Sequence, residues 1–133
     1  MCFTALELMK SPVNCKIVNL GDSVNSLYGE YSPLLSAGED AIMFTSNRKG
    51  VGGDGYMTPE GDYLEDIWIS YKKPDGTWTK SKSIGPTINT PAGEATVGLS
   101  ADGQLMFIYR DDNGDGNIYM SELNGDMWSV PDK

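Results

Sequence analysis

The chain of 133 residues contains no histidine. This absence excludes Ser-His-Asp and Cys-His catalysis, zinc held by histidine and a histidine general base. Only two cysteines are present, and the spacing of Cys2 and Cys15 fits no zinc pattern and indicates a disulfide only weakly. No stretch approaches the roughly 20 apolar residues of a membrane-spanning helix, so we expect no direct insertion into a membrane. The first ten residues are too short and too acidic for a secretory signal.

Basic residues are also scarce, with 10 Lys and Arg against 19 Asp and Glu, which gives a net charge of −9. An acidic surface repels phosphate backbones, so nucleic acid is not an expected partner. The charge suits cations, basic partners or plain solubility. The 16 glycines and 7 prolines favour many short strands and turns over long helices.

The chain contains an internal repeat, which decides the predicted fold. Residues 20–46 match residues 84–109, with Gly21, Asn25 and Glu30 opposite Gly85, Asn89 and Glu94. After a gap of one residue, Met43-Phe44 matches Met106-Phe107. Residues 66–78 match residues 117–128, so that Trp78 corresponds to Trp128. The first copy is longer mainly because of one insertion, residues 48–65.

Each copy is predicted to form four short antiparallel strands, at about 94–100, 104–110, 117–123 and 127–130 in the second copy. In the stretch 105–109, LMFIY, both faces are apolar, which is typical of a strand buried on both faces. A lone four-stranded sheet cannot bury both faces, whereas stacked propeller blades can. We therefore predict an all-β chain: a short helical segment and linker (1–16), one β-propeller blade (17–83) and a second blade (84–133).

The motif residues also resemble a known family. "SADGQLMFIY", followed by "GNIYMSELNGDMW", is similar to the TolB-like (WD40-like) β-propeller repeat, S-x-D-G-x-x-L-x-F … D-I-Y-x-S-x-x-x-G-x-W. Residues 8–50 look like the junction in Bacteroidetes outer-membrane proteins where tetratricopeptide helices lead into such a propeller. An OmpA-like domain usually follows there, and the group includes an envelope component of the type IX secretion system. The resemblance implies a non-enzymatic scaffold in the periplasm, associated with the outer membrane, with protein partners in the cell envelope.

Three departures from this family pattern stand out. Gly38 and Glu39 occupy the place of the usual Asp-Gly, so we expect the first copy's turn to be built differently. Asn117 replaces the usual Asp before Ile118. Only two repeats are present, whereas propellers usually need four to eight blades. Two blades leave a face uncovered, so we favour a piece of a longer chain, with a closed homo-oligomeric ring as the alternative.

Residues 111–122, DDNGDGNIYMSE, match the EF-hand pattern D-x-[DN]-x-[DN]-G-x₅-E. Strand-like sequence lies on both sides, and on a strand Glu122 lies too far from Asp111 to share one ion. We therefore reject an EF-hand and expect no cofactor. A smaller calcium site is the alternative to a plain turn, with Asp111, Asn113, Asp115 and the backbone near Asn117 as its ligands.

Candidate contact residues follow from the repeat and the insertion. Tyr56, Met57 and Tyr63 give the insertion apolar area for a partner. Glu30 and Glu94 recur at the start of the innermost strand, where they either line a channel or hold backbone amides of a neighbouring blade. The aromatic residues predicted to pack the blades are Phe44, Trp68, Trp78, Phe107, Tyr119 and Trp128. The alternative functions are a module that binds glycans or small ligands and, third, a hydrolase that uses two carboxylates.

Overall fold

The computed structural model describes residues 3–50 and 57–133. Its helix, α1, spans Phe3–Met9 and buries none of its residues. The strands are β1 (Glu30–Leu35), β2 (Ala41–Ser46), β3 (Asp66–Tyr71), β4 (Lys82–Ser83), β5 (Glu94–Leu99), β6 (Leu105–Asp112), β7 (Asp115–Asn124) and β8 (Met127–Trp128). The predicted all-β class with a short N-terminal helix is confirmed.

The strands form two four-stranded antiparallel sheets, each in chain order. The first sheet holds β1 to β4 and the second holds β5 to β8. In both sheets the first strand carries a bulge, between Tyr31 and Leu34 and between Thr96 and Gly98. The strands β6 and β7 extend beyond the predicted bounds, because the tight turn between them lets the hydrogen-bonded ladder continue to its end.

The turn between β1 and β2 has the same backbone as the turn between β5 and β6. The N–H of Glu39 donates to Ser36 O at 2.9 Å, and the N–H of Gly103 donates to Ser100 O at 2.9 Å. Glu39 adopts φ 53° where Gly103 has φ 74°. The expectation of a differently built turn is therefore wrong. The glutamate instead takes the left-handed conformation that glycine adopts at lower cost.

The repeat needs no gap. Leu35 pairs with Ile42 in the first sheet, and Leu99 pairs with Met106 in the second. Ile42 therefore corresponds to Met106 and Met43 to Phe107, which corrects the alignment of the two Met-Phe dipeptides. Because the two turns have equal length, equivalent residues of the two sheets lie on the same face. An alignment shifted by one residue would place every side chain on the opposite face.

The main core lies between the two sheets. It is formed by the buried side chains of Met43, Ile67, Ile69, Ile88, Met106 and Ile108. Strand β5 contacts β1, β2 and β3 and so joins the sheets along this interface.

A second core covers the other face of the first sheet. It contains Val24, Ile42, Phe44, Trp68 and Trp78, with Leu20 packed against them. Both faces of β2 and β3 are thus covered, and every residue of β2 is buried.

The corresponding strand of the second sheet, β6, is buried on one face only. Met106 and Ile108 are fully buried, whereas Tyr109 on the opposite face is 39% exposed. The prediction that the stretch 105–109 is buried on both faces is wrong for this structure. In the described parts of the chain, no element packs over that face.

Candidate interaction surface

The outer face of the second sheet is an exposed apolar surface. Phe107 pairs with Met120 and Tyr109 pairs with Ile118, so all four side chains lie on one face. Ile118 is 52% exposed, Met120 42% and Tyr109 39%, while Phe107 is half-buried. We call these four residues the open face.

The first sheet has the same face, but there it is covered. Met43 pairs with Ile69, and Thr45 pairs with Ile67. These four residues are at the positions of Phe107, Met120, Tyr109 and Ile118, and each is at most 7% exposed because the second sheet packs on them. The same face is therefore buried at an interface in the first sheet and, among the described residues, exposed in the second sheet.

Polar contacts from the start of the second repeat hold the internal interface together. The side-chain amide of Asn89 accepts from the N–H of Ile67 at 2.9 Å and donates to its carbonyl oxygen at 2.9 Å. The N–H of Glu94 donates to Glu65 O at 2.9 Å. Thr96 adds a bond from its N–H to Thr45 Oγ1 at 2.9 Å. Backbone edges and side chains are thus matched across the interface.

Glu94, a candidate contact residue, lies inside this interface. Its side chain is fully buried, and its carboxylate accepts from Arg110 Nε at 2.9 Å and from the N–H of Thr90 at 2.9 Å. Arg110 also donates to Ile88 O at 3.0 Å. Burial raises the pKa of Glu94, against the opposing effect of the Thr90 hydrogen bonds and the Arg110 charge. These contacts give Glu94 a structural role in holding the loop before β5.

Glu30 repeats this arrangement in the first sheet. Its carboxylate accepts from Arg48 Nη2 at 2.7 Å, and Arg48 also donates to Val24 O at 2.8 Å. Burial works to raise the pKa of Glu30, but hydrogen bonds from Ser26 and the charge of Arg48 outweigh it and lower the pKa. Neither arginine was predicted from the sequence to be a site residue. The signal was faint, because Arg48 is not at the repeat position of Arg110.

A cleft of about 630 Å³ opens between the sheets at the start of β1 and β5. Its lining includes Tyr31 and Tyr109 and the acidic residues Glu65 and Asp111. Glu94 also borders it, but its carboxylate is buried and paired with Arg110. Burial, together with the charge and hydrogen bond of Glu65, raises the pKa of Tyr31 to about 12. Since no lysine or arginine is among the lining residues, the cleft suits a cationic group more than an anionic one.

Asp66 is an acidic residue that the sequence analysis did not single out. It is 3% exposed, and burial raises its pKa to about 6, with a further contribution from the charge of Glu94. A Cβ added at Gly50 would lie 1.6 Å from its carboxylate, so the backbone of Gly50 closes directly over this group. Asp66 does not line the cleft.

The four candidate calcium ligands lie in a tight hairpin. Asn113 (φ 58°) and Gly114 (φ 88°) form a two-residue turn between Asp112 and Asp115. Asp111 is on the opposite face of the ladder from Asp115 and Asn117, so the structure does not bring the three side chains together. Strands rather than helices flank the turn. In the described ranges no group of three or more acidic or cysteine residues is placed to hold a metal ion. The calcium site stays the untested alternative to a plain turn.

Hydrogen bonds within the hairpin engage the carboxylates of Asp111 and Asp112. Asp111 accepts from the N–H of Gly114. Asp112, which the sequence analysis did not single out, accepts from Tyr119 Oη at 2.6 Å and Asn117 Nδ2 at 2.9 Å. Hydrogen bonds between its own residues therefore hold the hairpin turn together.

The insertion is described at residues 48–50 and 57–65, and Tyr56 lies outside the described residues. Met57 and Tyr63 form a bridge across a turn, with Met57 52% exposed. Tyr63 is half-buried and contacts Tyr28 edge to face, with ring centroids 6.0 Å apart. Met57 is thus available to a partner, while Tyr63 anchors the insertion to the loop before β1.

Five of the six predicted packing aromatics do pack against a core. Phe44, Trp68 and Trp78 are in the second core, and Tyr119 and Trp128 pack against the main core. Phe107 lies on the open face instead. Its position follows from the ungapped repeat, which places it at the site of Met43 rather than Phe44.

Comparison with known proteins adds no family to this geometry. The chain matches no protein-family model, no curated protein and no solved structure at a significant level. Among the described residues, no helix is long and apolar enough to cross a membrane.

Proposed function

We propose that the two sheets are neighbouring blades of a β-propeller and that the chain is a non-enzymatic protein-interaction scaffold of a Gram-negative cell envelope. The observation that carries this proposal is the open face, because the same face of the first sheet is an interface within the chain. An apolar sheet face that the fold normally covers indicates a protein partner. The placement at the periplasmic side of the outer membrane rests on the sequence resemblance alone.

The experiment is site-specific photo-crosslinking in an envelope extract of a Bacteroidetes cell. A photoreactive residue at position 120 is on the open face, and one at position 9, in the exposed helix α1, is the matched control. We expect a discrete cross-linked envelope protein at position 120 only, suppressed by excess unlabelled chain but not by Met120→Asp. Equal cross-linking at both positions, or none, contradicts the proposal.

A second candidate function rests on the cleft between the sheets. Its tyrosine rings and carboxylates suit a ligand with a cationic group or a glycan, since aromatic faces attract both cations and sugar rings. A glycan array separates the two functions, because a protein scaffold gives no reproducible hit. Binding that Tyr31→Ala abolishes and Met120→Asp leaves intact would assign the function to the cleft.

A further inference from the structure

The interface between the two sheets has two sides, and each side has an equivalent elsewhere in the chain. The open face is equivalent to the side that the first sheet provides, and the loop before β1 is equivalent to the loop before β5. The loop before β5 and the loop before β1 have equivalent residues 64 apart, with Ile88, Asn89 and Glu94 at the positions of Val24, Asn25 and Glu30. Both loops form the same turn, in which Asn89 donates its N–H to Gly85 O and Asn25 donates its N–H to Gly21 O, each at 2.9 Å. The loop before β1 therefore has the same turn conformation as the loop before β5.

The two asparagines differ in what their side chains meet. The amide of Asn89 is 1% exposed and holds both backbone groups of Ile67. The amide of Asn25 is half-buried, and in the described parts of the chain it bonds only to Asn19 Oδ1, at 2.9 Å. Asn25 thus lacks a backbone edge like the one that Asn89 meets.

The vacant backbone edge is found at Ile118, the equivalent of Ile67. Met120, two residues along β7, bonds to Asp132 on the outer side, and residues two apart on a strand direct their N–H and C=O groups to the same side. The N–H and C=O of Ile118 therefore face that side too. Within the described ranges neither group has a partner there.

Apolar surface accompanies the polar match. An apolar depression of about 210 Å³ lies beside Asn25, lined by Leu20, Val24, Asn25, Glu30, Tyr31, Pro33, Ile42 and Phe44. The equivalents of Val24, Ile42 and Phe44 are, in that order, Ile88, Met106 and Ile108, which pack against Met43, Ile67 and Ile69 in the main core. Phe107, Ile118 and Met120 are at the positions of those three residues, so the repeat places the open face opposite this depression. Val24, Ile42 and Phe44 are themselves at most 7% exposed, so a second copy would contact mainly the rim of the depression.

From these matches we infer that the chain associates head to tail with a second copy, the open face of one copy receiving the Asn25 loop of the next. This inference names the partner of the surface in the proposed function and rests on it. One contact is not reproduced, because Tyr109 replaces Thr45 and cannot accept the same short hydroxyl bond. Head-to-tail contacts use two different surfaces, so they either close a ring or continue as a chain of copies.

Sedimentation velocity of the purified chain over a broad concentration range tests the inference. We expect an average mass above the 14.5 kDa of one chain, rising with concentration. Because each copy carries a charge of −9, added salt should strengthen association by screening repulsion. Met120→Asp and Asn25→Asp should each weaken self-association about tenfold or more, since a charge enters an apolar contact or an amide donor is lost. Met9→Asp, in α1, should associate like the wild type.

Mixing the two interface variants is the decisive step. Met120→Asp retains the Asn25 loop and Asn25→Asp retains the open face, so an equimolar mixture should form a one-to-one pair that grows no further. A wild type that stays monomeric, a mixture without pairs, or an Asn25→Asp variant that associates normally would overturn the inference. Circular dichroism checks the fold, and uncharged Met120→Gln replaces Met120→Asp if the latter unfolds. A monomeric chain that still cross-links an envelope protein at position 120 would refute self-association and leave the scaffold function standing.

Discussion

The side-chain amide of Asn89 spans the backbone edge of Ile67, accepting from its N–H and donating to its carbonyl oxygen, both at 2.9 Å. One side chain thereby satisfies two buried backbone groups of the neighbouring sheet. A third bond, from Asn89 Nδ2 to Ser83 Oγ at 2.9 Å, fixes the orientation of the amide. This contact ties the second repeat to the first and shows what its counterpart at Asn25 lacks.

Replacing Asn89 by aspartate should destabilise the chain. The substitution removes the amide donor, places a charge in a buried site and sets a carboxylate oxygen against the carbonyl of Ile67, so we expect a loss of about 1–3 kcal/mol in the free energy of unfolding. Asn25→Asp is the matched control and should change it by less than about 0.5 kcal/mol. Denaturant unfolding measures both. Equal losses would mean that the Asn89 bonds do not hold the sheets together.

Replacing only one partner of the buried ion pair between Glu94 and Arg110 should destabilise the chain. Arg110→Met leaves the Glu94 carboxylate without its charged partner, and we expect a loss of about 3 kcal/mol at neutral pH. The double variant Glu94→Gln with Arg110→Met should recover part of that loss, because no unpaired charge remains. A double-mutant cycle by denaturant unfolding gives the coupling, and strictly additive losses would contradict it.

The stability of the chain should rise when the pH is lowered from 7.5 to 5. Burial and the charge of Glu94 raise the pKa of Asp66 to about 6, while the carboxyl group titrates near 4 in the unfolded chain. Between these values the folded state binds more protons, so the free energy of unfolding falls as pH rises towards 6 and then levels off. The pKa of Glu94 is raised too and acts in the same direction.

We expect a gain of about 1 kcal/mol at pH 5 relative to pH 7.5 from Asp66. Asp66→Asn should reduce this dependence on pH and be more stable than the wild type at pH 7.5. Asp75→Asn is the control at an exposed carboxyl whose pKa is lowered by hydrogen bonds from Thr77, and it should keep the dependence. Thermal unfolding at several pH values measures the effect, and a wild-type stability that is flat between pH 5 and 7.5 would refute the assignment.

Calcium should leave the hairpin at 111–117 unaffected. Asp111 and Asp112 are engaged by hydrogen bonds within the hairpin, and Asp111 is on the other face from Asp115 and Asn117. A site with a dissociation constant of about 1 mM would stabilise the fold by about 1.4 kcal/mol at 10 mM calcium, or several degrees in Tm. We expect no such shift by differential scanning calorimetry. A shift that Asp115→Asn removes would establish the site.

Glu39→Gly should stabilise the chain. Glu39 has φ 53°, a left-handed conformation that costs a residue with a side chain about 1 kcal/mol relative to glycine. The gain should approach that value in denaturant unfolding. Glu60→Gly is the control, because Glu60 is an exposed turn residue without positive φ and should show no gain. Equal effects of the two substitutions would mean that strain at Glu39 is absent.

Much of the fold could be predicted because the repeat consists of sequence patterns that extend over only a few residues. Short apolar runs between Asp-Gly and Asn-Gly turns indicate strands, and the second copy's strands were placed to within a few residues. That Met43 and Phe107 occupy equivalent positions of the repeat could not be predicted from the sequence. The Met-Phe dipeptide in both copies suggested an alignment that is shifted by one residue. Only the turn after Ser36, which has the length of the turn after Ser100, establishes the register.

The candidate surface was predictable only in outline. The repeat indicated that two sheets leave a face uncovered, but the residues of that face depend on which side of β6 packs inward. The roles of Arg48, Arg110 and Asp66 were missed, because ion pairs and buried carboxyls arise between residues that are distant along the chain. Asn25 and Asn89 were matched in the repeat, yet identical residues in identical turns gave no sign of their different partners.

By itself, the sequence determined the class of structure and the number of repeats, because hydrophobic alternation and turn residues act over a few neighbouring positions. It also determined the acidic charge and, through the absence of histidine, the chemistry that is excluded. Only the tertiary structure decided that the face with Met43 and Ile67 is covered while the face with Phe107 and Ile118 is open. Which face is buried depends on the packing of one sheet against the other. The interface between the two sheets buries one face of each, and the packing decides which face of the second sheet that is.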